Sequence, residues 1–202
     1  QGSREPLAMA GMAKLDSPTV QRIGIMIFLQ LVTNFNWQES WRKGDISSAF
    51  LQGQDREIET KGRLFLEPPK GRPLEGVGLG DLLEVIKSVY GLPDAPRAWY
   101  EEVTGYLREI GFQHARMDVA FMVHYLDSGS IGAMIVLHVD DIMIATDGSK
   151  TMEAMVEKFR AKYPFGEWEY VRDKPEIAYT GRQISMYGDE IHIGQKDFCN
   201  GR

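Results

Sequence analysis

Two adjacent carboxylates, Asp140 and Asp141, interrupt the apolar stretch 131–146, in the order His138-Val139-Asp140-Asp141-Ile142. Burying unpaired charge costs on the order of several kcal/mol per ion, so the pair needs either water or a cation. A tight hairpin turn over 139–141 would put both groups at an exposed tip, and turns favour Asp. A divalent cation is the other solution. Mg²⁺ takes oxygen ligands, usually one or two carboxylates completed by substrate phosphates. A third carboxylate, Asp45, stands directly before Ile46-Ser47-Ser48-Ala49-Phe50, and alone it reads as an ordinary strand-start or turn residue. On separate strands that converge, Asp45, Asp140 and Asp141 would suit a two-metal centre. One ion would lower the pKa of an attacking hydroxyl while the other steadies the leaving oxygens. Phosphoryl transfer of that kind rests on positioning and charge neutralisation more than on covalent chemistry by the protein.

Other residues compete less well for a chemical role. His138 precedes the carboxylates but reads as a satisfied structural histidine, because Mg²⁺ prefers oxygen. His114, His124 and His192 form no metal-spaced cluster. Cys199, the single cysteine, excludes an internal disulfide framework and a cysteine-based zinc knuckle, and it fits a reducing compartment. At helical spacing Trp99 reads as core, whereas Arg97, at a helix start, is the better candidate for contact with nucleic acid.

Composition sets the frame. The 202 residues are 43% hydrophobic and 26% charged, which suits one globular domain or two small ones. A net charge of −6 argues against a surface built only to grip phosphates, but not against a carboxylate site that reaches nucleic acid through metal. No membrane partner is expected: the apolar run 23–32 contains Gln30 and falls short of the roughly 20 residues a span needs. Residues 6–13 lack the basic lead-in of a signal peptide. Both ends read as cut from something longer.

The elements that must position these groups follow from periodicity. After an irregular leader, 1–16, a helix buried on most sides is expected over 22–35, then a charged turn at Arg42-Lys43-Gly44. Alternation gives a strand at 63–67, ended by Pro68-Pro69. Gly76, Gly78 and Gly80 mark a loop, not a phosphate cradle, because no strand precedes it and the spacing is wrong. Asp94 and Gly111 bracket a helix with Pro96 in its first turn and Trp99, Val103, Leu107 and Ile110 on one face. A strand at 120–125 and two apolar runs over 131–146 follow. A helix over 152–163 turns Met152, Met155, Val156 and Phe159 inward, with Lys158, Arg160 and Lys162 on a solvated face and Glu153 and Glu157 on the same helix. Short strands close the chain around 179–186 and 190–194. Mixed helices and hairpins imply an α+β fold over an antiparallel sheet.

Three motifs in order then carry a resemblance: Asp45-Ile-Ser-Ser-Ala-Phe-Leu-Gln-Gly53, Lys87-Ser-Val-Tyr-Gly-Leu-Pro-Asp-Ala-Pro-Arg-Ala-Trp-Tyr100 and His138-Val-Asp-Asp141. With Ser17-Pro18-Thr19 and Tyr179-Thr-Gly-Arg-Gln-Ile184, they resemble the reverse transcriptase domain of copia-type LTR retrotransposon Pol polyproteins, over about 16–198. The resemblance implies a right-hand polymerase fragment, 17–198, with palm and fingers, lacking the thumb and part of the fingers, and a tail at 199–202. It implies RNA-directed DNA polymerisation, in which a primer 3′-hydroxyl attacks the α-phosphate of a dNTP. Two Mg²⁺ ions (or Mn²⁺) would be held by Asp45, Asp140, Asp141 and the Ile46 carbonyl. Phe50 matches the aromatic residue under the sugar, where a ring leaves no room for a 2′-hydroxyl. Residues 90–99 match a segment near the nascent base pair, and 179–184 the turn that grips the primer end. Implied partners are an RNA template, a DNA primer, dNTP and the rest of the Pol polyprotein, including RNase H and integrase. The implied location is a cytoplasmic virus-like particle.

The motif departs from the family at Pro93-Asp94, where Lys-Gln is usual; an aspartate cannot donate to a triphosphate, and it can instead cap the helix. Two other readings stay open beside the polymerase. One is an inactive palm-like relic serving as an interaction module. The other is a metal-dependent nuclease, for which no water-activating base is identifiable.

Overall fold

The computed structural model describes residues 17–53, 55, 62–69, 71, 74–78, 80–199 and 201. The expected leader, 1–16, lies outside them. The described chain divides into a smaller unit, Phe50–Glu102, and a larger one formed by Pro18–Ala49 with Val103–Arg202.

The larger unit is built on a six-stranded antiparallel sheet in the order β4-β5-β6-β7-β1-β8. The strands are β1 (Arg42–Ile46), β4 (Phe112–Ala115), β5 (Asp118–Tyr125), β6 (Ile131–His138), β7 (Asp141–Thr146) and β8 (Phe165–Tyr170). β6 and β7 are apolar along nearly their whole length and buried on both faces. Helix α1 (Arg22–Asn34) packs on β6, and its Phe28 ring meets Trp41 and Phe121 edge-on at 6.3 and 6.2 Å. Helix α3 (Lys150–Lys162) starts at Ser149, whose hydroxyl accepts from the Met152 N–H, and buries Met152, Met155, Val156 and Phe159 as the spacing required. A second, three-stranded sheet, β11-β10-β9, comprises β9 (Ile177–Tyr179), β10 (Arg182–Tyr187) and β11 (Glu190–Gly194), followed by the short helix α4 (Lys196–Cys199).

The smaller unit holds the two-residue strands β2 (Phe65–Leu66) and β3 (Leu83–Glu84) and a core of Val85, Leu92 and Ala95 against Phe50, Leu64 and Val89. Helix α2 (Ala95–Glu109) begins directly after the buried Asp94, whose carbonyl accepts from the Ala98 N–H. Trp99, Val103 and Leu107 are all buried on one face, and Gly111 follows with φ +99°.

Helices and sheets are therefore α+β as expected, with several differences in detail. The expected turn Arg42-Lys43-Gly44 is the first part of β1, a strand in the interior of the sheet. Its charge is accommodated because Arg42, only 2% exposed, is paired with Glu153 and donates to the Tyr170 hydroxyl. Glu153, half-buried, also accepts from the Thr146 hydroxyl at 2.5 Å. The expected strand at 63–67 shrinks to two residues, and that at 179–186 is two strands separated by a turn at Thr180-Gly181, where both residues have positive φ. Strands β4 and β8 were not anticipated. Among the described residues, no helix is long and apolar enough to cross a membrane.

Candidate active site

β1 alternates buried and half-buried positions, so its two faces differ in kind. Arg42, Gly44 and Ile46 point to the covered face, where the rings of Trp168 and Phe165 crowd Gly44. Lys43 and Asp45 occupy the other face. Cross-strand pairing sets Asp45 opposite Asp141 of β7 on one side and opposite Glu167 of β8 on the other. A row of three carboxylates, Asp141–Asp45–Glu167, thus runs across three adjacent strands. Directly opposed like charges destabilise a sheet, so such a row needs compensation. Glu167 had no signal in the sequence, where it is one acid in the mixed stretch Phe165-Gly166-Glu167-Trp168.

Asp140 reaches the same place from the hairpin. β6 and β7 are joined by a two-residue turn, Val139-Asp140, with His138 paired to Asp141. Asp141 is therefore the first residue of a strand rather than part of the tip. Only the first of the two turn residues has positive φ (Val139, +61°), the pattern of a II′ hairpin turn that normally takes glycine there. A β-branched residue in that region costs about 1–3 kcal/mol, and strain of this sort collects at functional positions. The Ile46 N–H donates to the Asp140 carbonyl at 3.0 Å, which ties the turn to the end of β1. The pairing of β1 with β8 shifts register between Asp45 and Ile46, a bulge that re-aims backbone and side chain at the strand end. Asp45, Ile46, Asp140 and Asp141 are thereby brought together in the larger unit.

Burial pushes the Asp45 carboxyl above its usual range, and the charges of Asp140 and Asp141 push it further, against the opposing pull of Lys43. Gly166 leaves room for this carboxylate: a Cβ there would stand 2.9 Å from Ser47 Oγ and 3.4 Å from Asp45 Oδ2. Lys43 Nζ lies 3.4 Å from Asp141 Oδ1 and 3.5 Å from Glu167 Oε2. Hard oxygen donors that repel one another are the kind of donor a divalent cation such as Mg²⁺ takes. Among the described residues, no three His, Cys, Asp or Glu side chains stand close enough to form a ready-made metal cage. A cation here would take further ligands from phosphates or water.

The surroundings refine other expectations. The His138 ring meets Tyr179 edge-on at 6.4 Å, but its buried Nδ1 has no hydrogen-bond partner among the described residues, so it is not the satisfied structural histidine expected. Tyr179 donates to the Val136 carbonyl at 3.3 Å, and its hydroxyl is pushed well above its usual range by burial, then by the charges of Asp141 and Asp118. Within the segment 179–184, Tyr179, Gln183 and Ile184 are buried, Thr180 and Arg182 half-buried, and Gly181 exposed. Phe50 and Arg97 belong to the smaller unit. Phe50, in the 3₁₀ turn Ala49–Gln52, packs on Tyr90 at 5.0 Å. Arg97 is held by Glu101 at 2.6 Å and lies over the Tyr100 ring, so any contact with nucleic acid competes with an existing ion pair. Trp99, 1% exposed, is core.

Comparison with known proteins agrees with the motif wording. A family model described as reverse transcriptase (RNA-dependent DNA polymerase) matches residues 7–201. The chain is 27% identical over 191 residues, 92% of its length, to "Retrovirus-related Pol polyprotein from transposon RE1" of Arabidopsis thaliana. It is 30% identical over 158 residues to the corresponding RE2 polyprotein of the same plant, covering 74% of this chain. It is also 27% identical over 151 residues to the Ty1-DR4 Gag-Pol polyprotein of Saccharomyces cerevisiae, again covering 74%. The chain spans only 12%, 10% and 8% of these three relatives, respectively. No solved structure matches it. The chain belongs to the reverse transcriptase (RNA-dependent DNA polymerase) family, as a domain of the copia-type retrotransposon kind.

Proposed function

We propose that the chain is the palm-and-fingers part of an RNA-directed DNA polymerase, and that Asp45, Asp140 and Asp141 are its catalytic acids. The observation that supports this reading is the register that sets Asp45 of β1 opposite Asp141 of β7, acids almost a hundred residues apart in sequence, with the backbone of Asp140 tied to the end of β1. Two Mg²⁺ ions would supply the Lewis acidity that activates a primer 3′-hydroxyl and steadies the leaving pyrophosphate oxygens. The protein's part is positional. Asp45 and Asp141 hold fixed register on neighbouring strands, Asp140 is set by the strained turn, and the Ile46 carbonyl lies at the bulge beside them. Phe50 would face the sugar and exclude a 2′-hydroxyl, and Arg97 would meet the nucleotide region on leaving Glu101. Template RNA, primer DNA and dNTP are the substrates, and the remaining Pol domains, RNase H and integrase among them, are the partners. A cytoplasmic particle is the proposed setting.

The test is template-directed dNTP incorporation on an RNA template with Mg²⁺, by the full parent polyprotein and by this chain. Asp140→Asn should abolish incorporation by the parent without loss of its fold. Unchanged extension by that variant would remove the assignment, and a parent inactive with all three acids intact would favour the relic reading.

A further inference from the structure

Lys43 lies two residues before Asp45, on the same face of β1, and its side chain is 13% exposed. From there its ammonium reaches both ends of the carboxylate row: Asp141 Oδ1 at 3.4 Å on β7 and Glu167 Oε2 at 3.5 Å on β8. Asp45 stands between those two partners in the strand register. A single positive charge therefore spans three opposed carboxylates in a sheet where like charges would otherwise face one another. Its more buried contact, Asp141 Oδ1, belongs to an acid assigned above to the cation.

We propose that Lys43 is the resident counter-ion of this row. It neutralises Asp141 and Glu167 while no divalent cation is bound, and it yields Asp141 when one enters. The inference rests on the reading of Asp45, Asp140 and Asp141 as cation-binding acids. Lys43 is then a positioning residue that competes with the cation for one oxygen. It keeps the empty site from collapsing or splaying and weakens cation binding until phosphates add their own ligands. A flexible lysine stem suits this role, since its point charge can swing aside without breaking a planar, bidentate geometry.

The experiment measures Mn²⁺ binding to the full chain by electron paramagnetic resonance, alongside thermal melting in chelator and in saturating Mn²⁺. Lys43→Gln should bind Mn²⁺ about two- to fivefold more tightly, the range expected for losing one partly screened ion pair. It should melt lower than wild type in chelator, and the gap should close when Mn²⁺ is added. Lys43→Met, which keeps the apolar stem, should give the same Mn²⁺ result, and Lys43→Arg should stay near wild type. Equal Mn²⁺ affinity in wild type, Lys43→Gln and Lys43→Met, with any loss of melting temperature the same in chelator and in Mn²⁺, would mark a purely structural lysine and overturn the proposal. Asp45→Asn separates the two inferences. If it binds Mn²⁺ as wild type does, the assignment of the acids fails. If it loses binding while the Lys43 variants match wild type, only the counter-ion role fails.

Discussion

Asp45 occupies a position where ionisation is opposed by burial first and by Asp140 and Asp141 next. With its folded-state pKa above the unfolded value, the carboxyl favours folding while protonated. That contribution is complete below the unfolded pKa and is lost as pH rises through the folded one. At neutral pH the ionised side chain is thus a burden the fold carries. Asp45→Asn cannot ionise, so it should melt above wild type at neutral pH in chelator, and the advantage should fade as the pH falls below the carboxylate range. Saturating Mn²⁺ should reverse the order, because only wild type gains from a cation bound to the native state. Melting curves at several pH values, with and without Mn²⁺, check both signs; a variant less stable at neutral pH in chelator would show that Asp45 serves the fold.

At the scale of elements, the site depends on β1 running between β7 and β8, and that strand was the least legible part of the sequence. Asp140 and Asp141 were visible because two charges in an apolar run have few explanations. Helices α1, α2 and α3 were visible because apolar residues recur at helical spacing over three or more turns. β1 gives no such pattern: its covered face is Arg42, Gly44 and Ile46, so the period-two signal is hidden by a charge and a missing side chain. Arg42 can be buried because Glu153 arrives from 111 residues away, which no local window can see. Gly44 has an equally distant reason, since a Cβ there would stand 2.8 Å from the Trp168 ring and 2.9 Å from Phe165. Gly44→Ala should therefore overpack the β1–β8 seam and cost about 1–3 kcal/mol in denaturant unfolding. Trp168→Leu in the same chain should recover part of that loss by making room. A Gly44→Ala chain of unchanged stability would mean that the rings give way freely and that the seam does not fix the register of Asp45 against Asp141 and Glu167.

For the chain taken entire the governing quantity is a net charge of −6, set against the polyanionic substrate proposed above. Counterion release favours proteins that bring positive charge to phosphates, so a chain with excess acid, and with acids at its reactive face, repels nucleic acid until cations intervene. Affinity for a primer–template duplex should accordingly be weak in chelator and rise with Mg²⁺, the opposite of the response of a basic nucleic-acid binder. Replacing Asp45, Asp140 and Asp141 together by asparagine removes three negative charges from the site proposed to meet the duplex end. In chelator that variant should bind primer–template several-fold more tightly than wild type by fluorescence anisotropy, and Mg²⁺ should narrow the gap by strengthening wild type alone. Added salt should shrink the difference between the two in chelator, since screening weakens the repulsion that the three acids supply. If the triple variant gains nothing in chelator, the carboxylate row does not face the nucleic acid, and the acids gathered by β1, β7 and the Val139-Asp140 turn serve something other than the primer end.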